Sequence, residues 1–371
     1  MQDTVTSMTF IMKSVTGCNL SCKYCYMRAG SHPDATIMPD GILEKMIKEV
    51  ATLELNRIEF SWHGGEPLIA KRDFYRRARG LQLRHIGAAT RVKNCLQTNG
   101  TLITDDWVNF FIDHEFGVGV SIDGPENIHN SNRDYKSGGG SFLAVMQGIK
   151  TLQARGCDVH VIPVVTNATV SKAKEIFDFF VGNGINHFAF TPCFPKTSGL
   201  GQSPRDHDEF TVRGEDFGRF MVEIYDLWMG LNNPNISIRY LKEITKMLLG
   251  GKPSLCIFRK SQFCYRFLTV NSNGDIYPCD SYMSREFLLG NLSQNTLKEV
   301  LSSPKYTEFR KNVIDVSNEC RSCSIYDTCG GGCSFYRYWG TKDFRNKSYY
   351  CESMKMLVEH ISKKLSRLRG G

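Results

Sequence analysis

Three closely spaced cysteines near the start of the chain are the residues whose type and spacing best suit chemistry. The segment GCNLSCKYCY places Cys18, Cys22 and Cys25 in the pattern C-x3-C-x2-C. Three thiolates can hold three irons of a 4Fe-4S cluster and leave the fourth iron open to a ligand, whereas the usual clusters have four cysteine ligands. A structural zinc site with a distant fourth ligand is the alternative, but zinc sites generally use paired C-x2-C segments.

A second group of cysteines lies in the last third of the chain. Fourteen cysteines in a long chain without a secretion signal argue against a disulfide framework and for metal ligation. Eight thiolates suffice for two fully ligated 4Fe-4S clusters, and two four-cysteine zinc sites remain the alternative. These eight are Cys256, Cys264, Cys279, Cys320, Cys323, Cys329, Cys333 and Cys351. The remaining Cys95 and Cys157 are predicted to be buried hydrophobic residues. Cys193 is predicted to be a packing residue, with substrate contact as the alternative because it lies near the predicted rim.

Strand-like and helix-like segments that could position these thiols alternate from about residue 8 to residue 191. Short apolar runs such as FIMKSV, RIEFSWH and RVKNCLQ are separated by amphipathic stretches such as GILEKMIKEVATL. Six such repeats predict an α/β fold with a parallel sheet, and their number suits a partial (β/α)6 barrel of the TIM type.

Unusual residues follow four successive strands of this predicted sheet. The cysteine trio follows the first strand, GGEP the second, QTNG the third and SIDGP the fourth. Because the carboxyl ends of parallel strands meet at one edge, the sequence predicts that all four segments form a single rim.

Composition and periodicity divide the chain into predicted domains. We predict a barrel over residues 1–215, a helical bridge over 216–254, and a cysteine-rich domain over 255–351 that is stabilised by metal rather than by a core. A final helix over 352–371 would pack back on the barrel, and the Pro/Gly/Ser-rich segment 195–206 would be a linker. The apolar face of that helix comprises Met354, Leu357, Ile361, Leu365 and Leu368.

The charge and hydropathy patterns argue against several partners. No apolar run is long enough to span a membrane, and no signal peptide is evident, so a cytoplasmic location is expected. The net charge is +8, but the basic residues are scattered rather than clustered, which argues against a nucleic-acid surface.

The C-x3-C-x2-C pattern with an aromatic residue before its third cysteine resembles the radical S-adenosylmethionine (SAM) superfamily. The resemblance implies that the open iron binds SAM, and that an electron from the cluster cleaves SAM to methionine and a 5′-deoxyadenosyl radical. It also implies that Glu66 of GGEP receives the SAM amino group, and that Tyr24 contacts adenine. Ser121, Asp123 and Arg133 would contact the ribose and carboxylate of SAM. These three residues and Asn99 could equally be turn residues or surface charges, and Tyr24 could have a loop-packing role. The SAM-pocket residues implied in this way are Tyr24, Gly64, Gly65, Glu66, Asn99, Ser121, Asp123 and Arg133.

The later cysteines resemble the SPASM extension of radical SAM enzymes that modify peptides and proteins. The resemblance assigns them to two auxiliary 4Fe-4S clusters, which makes three clusters in all. Asp280, directly after Cys279, matches the general base of the sulfatase-maturing members, and a turn-capping aspartate is the alternative. The implied first set is Cys256, Cys264, Cys279 and Cys333, and the second is Cys320, Cys323, Cys329 and Cys351.

Nearly the whole chain resembles the anaerobic sulfatase-maturing enzymes, which oxidise a Cys or Ser of a sulfatase to formylglycine. Their usual QGGEP is WHGGEP here, with His63, a form associated with maturases that crosslink ribosomally made peptides through carbon-carbon or thioether bonds. On this residue we expect crosslinking ahead of formylglycine formation. An electron carrier with several clusters and a zinc-binding module are the non-enzymatic alternatives.

Three kinds of partner follow from this resemblance. They are a peptide or protein substrate, a reducing protein such as flavodoxin or ferredoxin, and a separate leader-peptide-binding protein. The first motif lies too near the start of the sequence for a fused recognition domain, so recognition of a leader peptide would use either the barrel or this separate protein.

Overall fold

The architecture centres on an open, mostly parallel sheet of ten strands. The computed structural model describes residues 5–27, 36–194, 209–258, 260, 263–339 and 341–369. The strands are β1 (Ser7–Met12), β2 (Arg57–Trp62), β3 (Arg91–Thr98), β4 (Phe116–Val120), β5 (His160–Val161), β6 (Val164–Val165), β7 (His187–Phe188), β8 (Thr191–Pro192), β9 (Ser237–Ile238), β10 (Phe267–Val270), β11 (Asp275–Tyr277) and β12 (Gly290–Asn291). The order in the large sheet is β12-β11-β10-β1-β2-β3-β4-β5-β7-β9, while β6 and β8 form a separate parallel pair.

Helices cover the outer face of the sheet and build the C-terminal region. None of them, over the part of the chain described, combines the length and apolarity needed to cross a membrane. They are α1 (Asp40–Ala51), α2 (Lys71–His85), α3 (Asp105–Asp113), α4 (Glu126–Asn130), α5 (Phe142–Ala154), α6 (Ala173–Gly182), α7 (Gly214–Leu231), α8 (Arg239–Leu248), α9 (Leu297–Ser302), α10 (Pro304–Ile314), α11 (Asn318–Arg321), α12 (Tyr326–Cys329), α13 (Ser334–Tyr338) and α14 (Cys351–Arg369).

The central strands bury one face and leave the concave face accessible. In β2, Phe60 and Trp62 are fully buried, whereas Glu59 and Ser61, which alternate with them along the strand, are only half-buried. The Trp62 ring packs edge-on against Tyr75 of α2 at 5.4 Å between centroids. Parallel strands usually bury both faces, so this alternation shows that the barrel interior is an open, polar concavity.

The C-terminal region shares its core with the barrel, so the prediction of a domain stabilised by metal rather than by a core is wrong. Strand β10 pairs in parallel with β1, with Thr9 opposite Phe267, and β11 and β12 extend the sheet. Leu268 and Val270 are fully buried in the common core. The segments involved are too short to show periodicity, but the free edge of β1 supplies their hydrogen bonds.

The predicted helical bridge contains a strand as well as helices. Between α7 and α8 the two residues of β9 pair with β7 and form the last strand at that edge of the sheet. The linker predicted over residues 195–206 lies outside the described residues.

The C-terminal helix packs mainly on α7 rather than on the strands of the barrel. It begins at Cys351, one residue before the predicted boundary, and Leu357 and Ile361 on its predicted apolar face are fully buried. At the crossing, a Cβ on Gly218 of α7 would lie 2.7 Å from Met356 Sδ, so glycine permits the close approach. The side chain of Leu368 lies outside the described residues.

Gly65 provides a test of how the rim is built. Its φ is +54°, and a Cβ there would lie 2.2 Å from the carbonyl oxygen of Gly17. We expect Gly65→Ala to lower the free energy of unfolding by about 1–3 kcal/mol through backbone strain, with the clash adding to this. Gly80 in α2 is the matched control because a Cβ at that position would have no atom within 4 Å. Gly80→Ala should raise stability by about 1 kcal/mol, and urea unfolding of both variants measures the difference.

Candidate active site at the carboxyl rim of the sheet

The loop after β1 holds the cysteine trio in a hydrogen-bonded frame. The backbone N–H of Leu20 donates to Cys18 Sγ at 3.3 Å, and Asn99 Nδ2 donates to the same sulfur at 3.6 Å. The backbone N–H of Cys25 donates to the carbonyl of Cys22 at 3.1 Å. Burial raises the pKa of Cys18 to about 12, so a thiolate there requires a bound cation such as iron.

Glu66 joins three rim segments through its backbone and its buried carboxylate. Its backbone N–H donates to the Gly17 carbonyl at 2.8 Å. The carboxylate accepts from Leu68 N at 2.9 Å, from Thr98 Oγ1 at 2.7 Å and from Asn99 N at 2.7 Å. The predicted meeting of the GGEP and QTNG segments is therefore observed, while contact of Glu66 with a SAM amino group stays a prediction.

Glu66 should also give the protein a measurable pH dependence of stability. Burial raises its pKa to about 7, against the hydrogen bonds from Asn99, Thr98 and Leu68. The unfolded value is about 4.3, so the stability gained from protonation is complete below that pH and lost as the pH rises through 7. We expect the free energy of unfolding to fall by up to about 1.4 kcal/mol per pH unit between these values.

Thermal unfolding of Glu66→Gln at pH 5 and pH 7 checks this expectation, because the variant should lack that slope. Glu44→Gln at an exposed position should retain it. A wild-type slope equal to that of Glu66→Gln would contradict the assignment.

Asp123 connects the fourth strand to the SAM-pocket residues that follow it. Arg133 donates to both of its carboxylate oxygens at 3.0 Å. Tyr24 Oη donates to Oδ2 at 2.5 Å, and the backbone N–H of Val164 donates to Oδ1 at 3.0 Å. Four donors occupy this fully buried carboxylate, so Asp123 orients Tyr24 and Arg133. Direct contact of Asp123 with SAM stays a prediction that this geometry does not favour.

The other predicted pocket residues lie on the same rim. Ser121 is half-buried, and its Oγ accepts from Gln97 Nε2 at 2.9 Å. The guanidinium carbon of Arg133 lies 5.3 Å from the centre of the Tyr24 ring, which fixes the ring by a cation–π contact. The structure thus brings the predicted SAM-pocket residues together, and their contacts with SAM stay predictions.

Lys13 is a pocket residue that the sequence patterns did not single out. It is fully buried at the end of β1, and its Nζ donates to Tyr26 Oη at 3.0 Å. Its side chain passes Gly64, where a Cβ would lie 2.2 Å from Lys13 Cδ, so glycine at this position makes room for the lysine. A lysine that ends an apolar strand was the available signal, because lysine is rarely buried without a partner.

Asp280 reaches the same pocket from the C-terminal region. It is half-buried, and the Cys279 thiol donates to its Oδ1 at 3.3 Å. Burial would raise its pKa, but the opposing charge of Lys13 lowers the pKa overall. Burial in turn lowers the pKa of Lys13, against the charge of Asp280, so the two groups are electrostatically coupled in one buried pocket.

Electrostatic interactions among the C-terminal thiols support the two predicted sets, although Cys333 of the first set also lines the cavity of the second, and the assignment stays a prediction. Burial raises the pKa of Cys256, and the neighbouring thiols of Cys333 and Cys264 raise it further. Burial likewise raises the pKa of Cys279, and the thiols of Cys333 and Cys256 are among the groups that raise it further. The pKa of Cys329 is raised by burial and then by the thiols of the second set, Cys351, Cys320 and Cys323.

The second set surrounds a cavity that suits a cluster. Its volume is about 200 Å³, far larger than one metal ion requires. In the described parts of the chain, no three ligating side chains meet at a point that could hold a single ion, whereas a cluster takes each thiolate on a separate iron. The residues fit a 4Fe-4S cluster, and its ligation stays a prediction. Cavity-lining cysteines are Cys320, Cys323, Cys329, Cys333 and Cys351.

The three remaining cysteines differ in their surroundings. Cys193 is buried, and its carbonyl accepts from Tyr350 Oη at 3.2 Å, in line with a packing role. Cys95 and Cys157 are only half-buried. The expectation that they are buried hydrophobic residues is wrong for Cys95 in particular, because it lies on the accessible concave face beside Gly117.

Comparisons with known proteins agree with this arrangement. A family model of the Radical SAM superfamily matches residues 12–180, and the SPASM iron-sulfur cluster-binding domain matches residues 263–324. The cysteine-type anaerobic sulfatase-maturating enzyme of Clostridium perfringens is 31% identical over 96% of each chain. The serine-type enzyme of Bacteroides thetaiotaomicron is 30% identical over 93% of this chain and 87% of its own.

A solved structure, native anSMEcpe with bound AdoMet and Cp18Cys peptide, has a TM-score of 0.87 and 31% identity to this chain. It covers 97% of this chain and 98% of its own. The predicted α/β fold with a partial barrel and a SPASM domain is confirmed.

The fold and the thiol sets together define a radical SAM enzyme with a C-terminal SPASM domain. Within that class, this chain belongs to the family that contains the anaerobic sulfatase-maturating enzymes. Membership sets aside the interpretations as a zinc-binding module or a simple electron carrier. The relatives also favour formylglycine formation, so the expectation that crosslinking is the better of the two chemistries is not supported.

Proposed function

We propose that this enzyme oxidises a cysteine or serine side chain of a protein substrate to formylglycine. The observation that carries the proposal is the pocket in which buried Lys13 interacts electrostatically with both Asp280 and Cys25 of the cysteine trio. Relatives of the cysteine type and the serine type are about equally similar to this chain, so they leave both substrates open. A peptide bound to anSMEcpe supports a polypeptide substrate.

The residues of the pocket have separate tasks in this reaction. When bound, SAM and the clusters supply the radical that removes a Cβ hydrogen atom and accept the electron released later. Asp280 accepts the proton of the substrate thiol or hydroxyl. Lys13 keeps the Asp280 carboxylate ionised until that proton arrives.

The balance of the reaction differs between the two substrates. Serine loses one hydrogen atom, one proton and one electron, and its CH₂OH group becomes an aldehyde directly. Cysteine loses the same three and becomes a thioaldehyde, which water converts to the aldehyde with release of hydrogen sulfide.

The remaining partners and the location follow from the same proposal. A one-electron donor such as flavodoxin or ferredoxin would supply the reducing electron. The many free thiols favour a reducing compartment, and we place the enzyme in the cytoplasm on that ground. A separate leader-binding protein was expected with crosslinking and stays a prediction that formylglycine formation does not require.

Anaerobically reconstituted enzyme tests the proposal with SAM, reductant and three peptides. The peptides share a sulfatase sequence and carry Cys, Ser or Ala at the target position. We expect 5′-deoxyadenosine together with a hydrazide-trapped aldehyde for Cys, Ser or both, and no aldehyde for the Ala control. Peptide that loses hydrogen without gaining a trappable aldehyde would indicate crosslinking instead.

A further inference from the structure

His63 directs its imidazole into the concave side of the barrel. It follows β2, in which Trp62 points outward to α2, so alternation along the chain turns His63 inward. Its backbone N–H donates to the Met12 carbonyl at 3.0 Å, which fixes it beside Lys13. The side chain is half-buried, whereas Trp62 is fully buried. His63 therefore presents a polar ring to the pocket.

The imidazole nitrogens of His63 have no hydrogen-bond partner among the described residues. Two other histidines show the contrast, because His129 Nε2 bonds Ser141 Oγ at 2.9 Å and His360 Nε2 bonds Asp226 at 2.8 Å. A neutral imidazole has one donor and one acceptor, and a pocket that leaves both unused can offer them to a ligand.

The groups around His63 are those of the proposed reaction. Its ring meets the Tyr26 ring edge-on at 6.4 Å between centroids, and Tyr26 in turn accepts from Lys13. Burial and then the charge of Lys13 lower the pKa of His63 to about 3, against the charge of Asp280. The imidazole is therefore neutral at physiological pH, with one nitrogen that can donate and one that can accept.

We propose that His63 is a positioning residue that hydrogen-bonds the thiol or hydroxyl of the substrate and turns its proton toward Asp280. The proposal rests on the proposed function and deepens it. In the step concerned, the S–H or O–H bond breaks and the proton passes to Asp280, while His63 neither gains nor loses one. Correct orientation matters because a reacting group held slightly out of place loses most of its rate advantage.

Three variants separate hydrogen bonding from space filling. His63→Gln keeps a hydrogen-bond donor and an acceptor of similar reach, whereas His63→Leu removes both. Ser61→Ala is the control, because Ser61 lies two residues before His63 and on the same face. The readouts are the ratio of 5′-deoxyadenosine to aldehyde, the split between KM and kcat, and peptide affinity measured with SAM but without reductant.

We expect His63→Leu to lower the kcat for aldehyde by roughly tenfold, the size of one lost hydrogen bond. The 5′-deoxyadenosine formed per aldehyde should rise by a similar factor, while peptide affinity changes little. In His63→Gln, the 5′-deoxyadenosine formed per aldehyde should return most of the way to the wild-type ratio. Ser61→Ala should match the wild type.

The proposal would be overturned if His63→Leu formed 5′-deoxyadenosine and aldehyde in the wild-type ratio. It would also be overturned if His63→Gln raised that ratio as much as His63→Leu does. If His63→Leu does not fold or load its clusters, His63→Asn replaces it, and equal coupling in the Asn and Gln variants would overturn the proposal. Failure of the wild type to form aldehyde from any peptide would instead refute the proposed function itself.

Discussion

Replacement of Cys22 by alanine is expected to abolish SAM cleavage while leaving the auxiliary sites intact. Cys22 lies between Cys18 and Cys25 in the loop after β1, and its thiol interacts electrostatically with that of Cys25. With two thiolates left, the cluster that binds SAM loses a required ligand. We expect 5′-deoxyadenosine to fall below detection, and iron content to fall by about a third, the share of one cluster in three.

Cys95→Ala is the matched control for this variant. Cys95 is half-buried on the concave face of β3 and belongs to neither predicted thiol set. Its loss should leave iron content and 5′-deoxyadenosine formation unchanged. Normal SAM cleavage by Cys22→Ala would contradict the placement of the SAM cluster on the N-terminal trio.

Replacement of Asp280 by asparagine is expected to separate the two halves of the reaction. Asparagine keeps the size of the side chain but cannot accept the substrate proton. General-base catalysis typically contributes about 10²–10⁴-fold, so aldehyde formation should fall by that factor. Formation of 5′-deoxyadenosine should continue, because Asp280 has no part in holding the cysteine trio.

The control for Asp280→Asn is Asp327→Asn in the same C-terminal region. The Asp327 side chain is 99% exposed and pairs with Lys260 at the surface. Its replacement should change neither product by more than the error of the assay. Near wild-type aldehyde yield from Asp280→Asn would show that another group takes the proton.

Much of the barrel could be predicted from the chain because local patterns and global fold agree there. Amphipathic stretches correspond to α1, α2 and α6, and short apolar runs of five to eight residues correspond to β1 to β4. The strands that were missed, β9 to β12, have only two to four residues each. Runs of that length carry no usable periodicity, so only pairing partners across space make them strands.

The site was predictable in its parts but not in its connections. Motifs after four strands had to meet at one rim, since parallel strands end on the same side. Nothing in the sequence indicates that the Asp123 carboxylate has four donors, or that Lys13 runs past Gly64 to Tyr26. These contacts join residues far apart in the chain, and they depend on side-chain geometry.

By itself, the sequence determined the kind of chemistry, because thiol spacing limits which metal group a loop can hold and Cys18, Cys22 and Cys25 leave one iron open. Tertiary structure alone decided which groups share the reaction pocket. Lys13 comes from the first strand, His63 from the second and Asp280 from the C-terminal region, and β10 pairs with β1 to join that region to the barrel. Electrostatic coupling depends on distance through space and on burial, and neither can be read from positions along a chain.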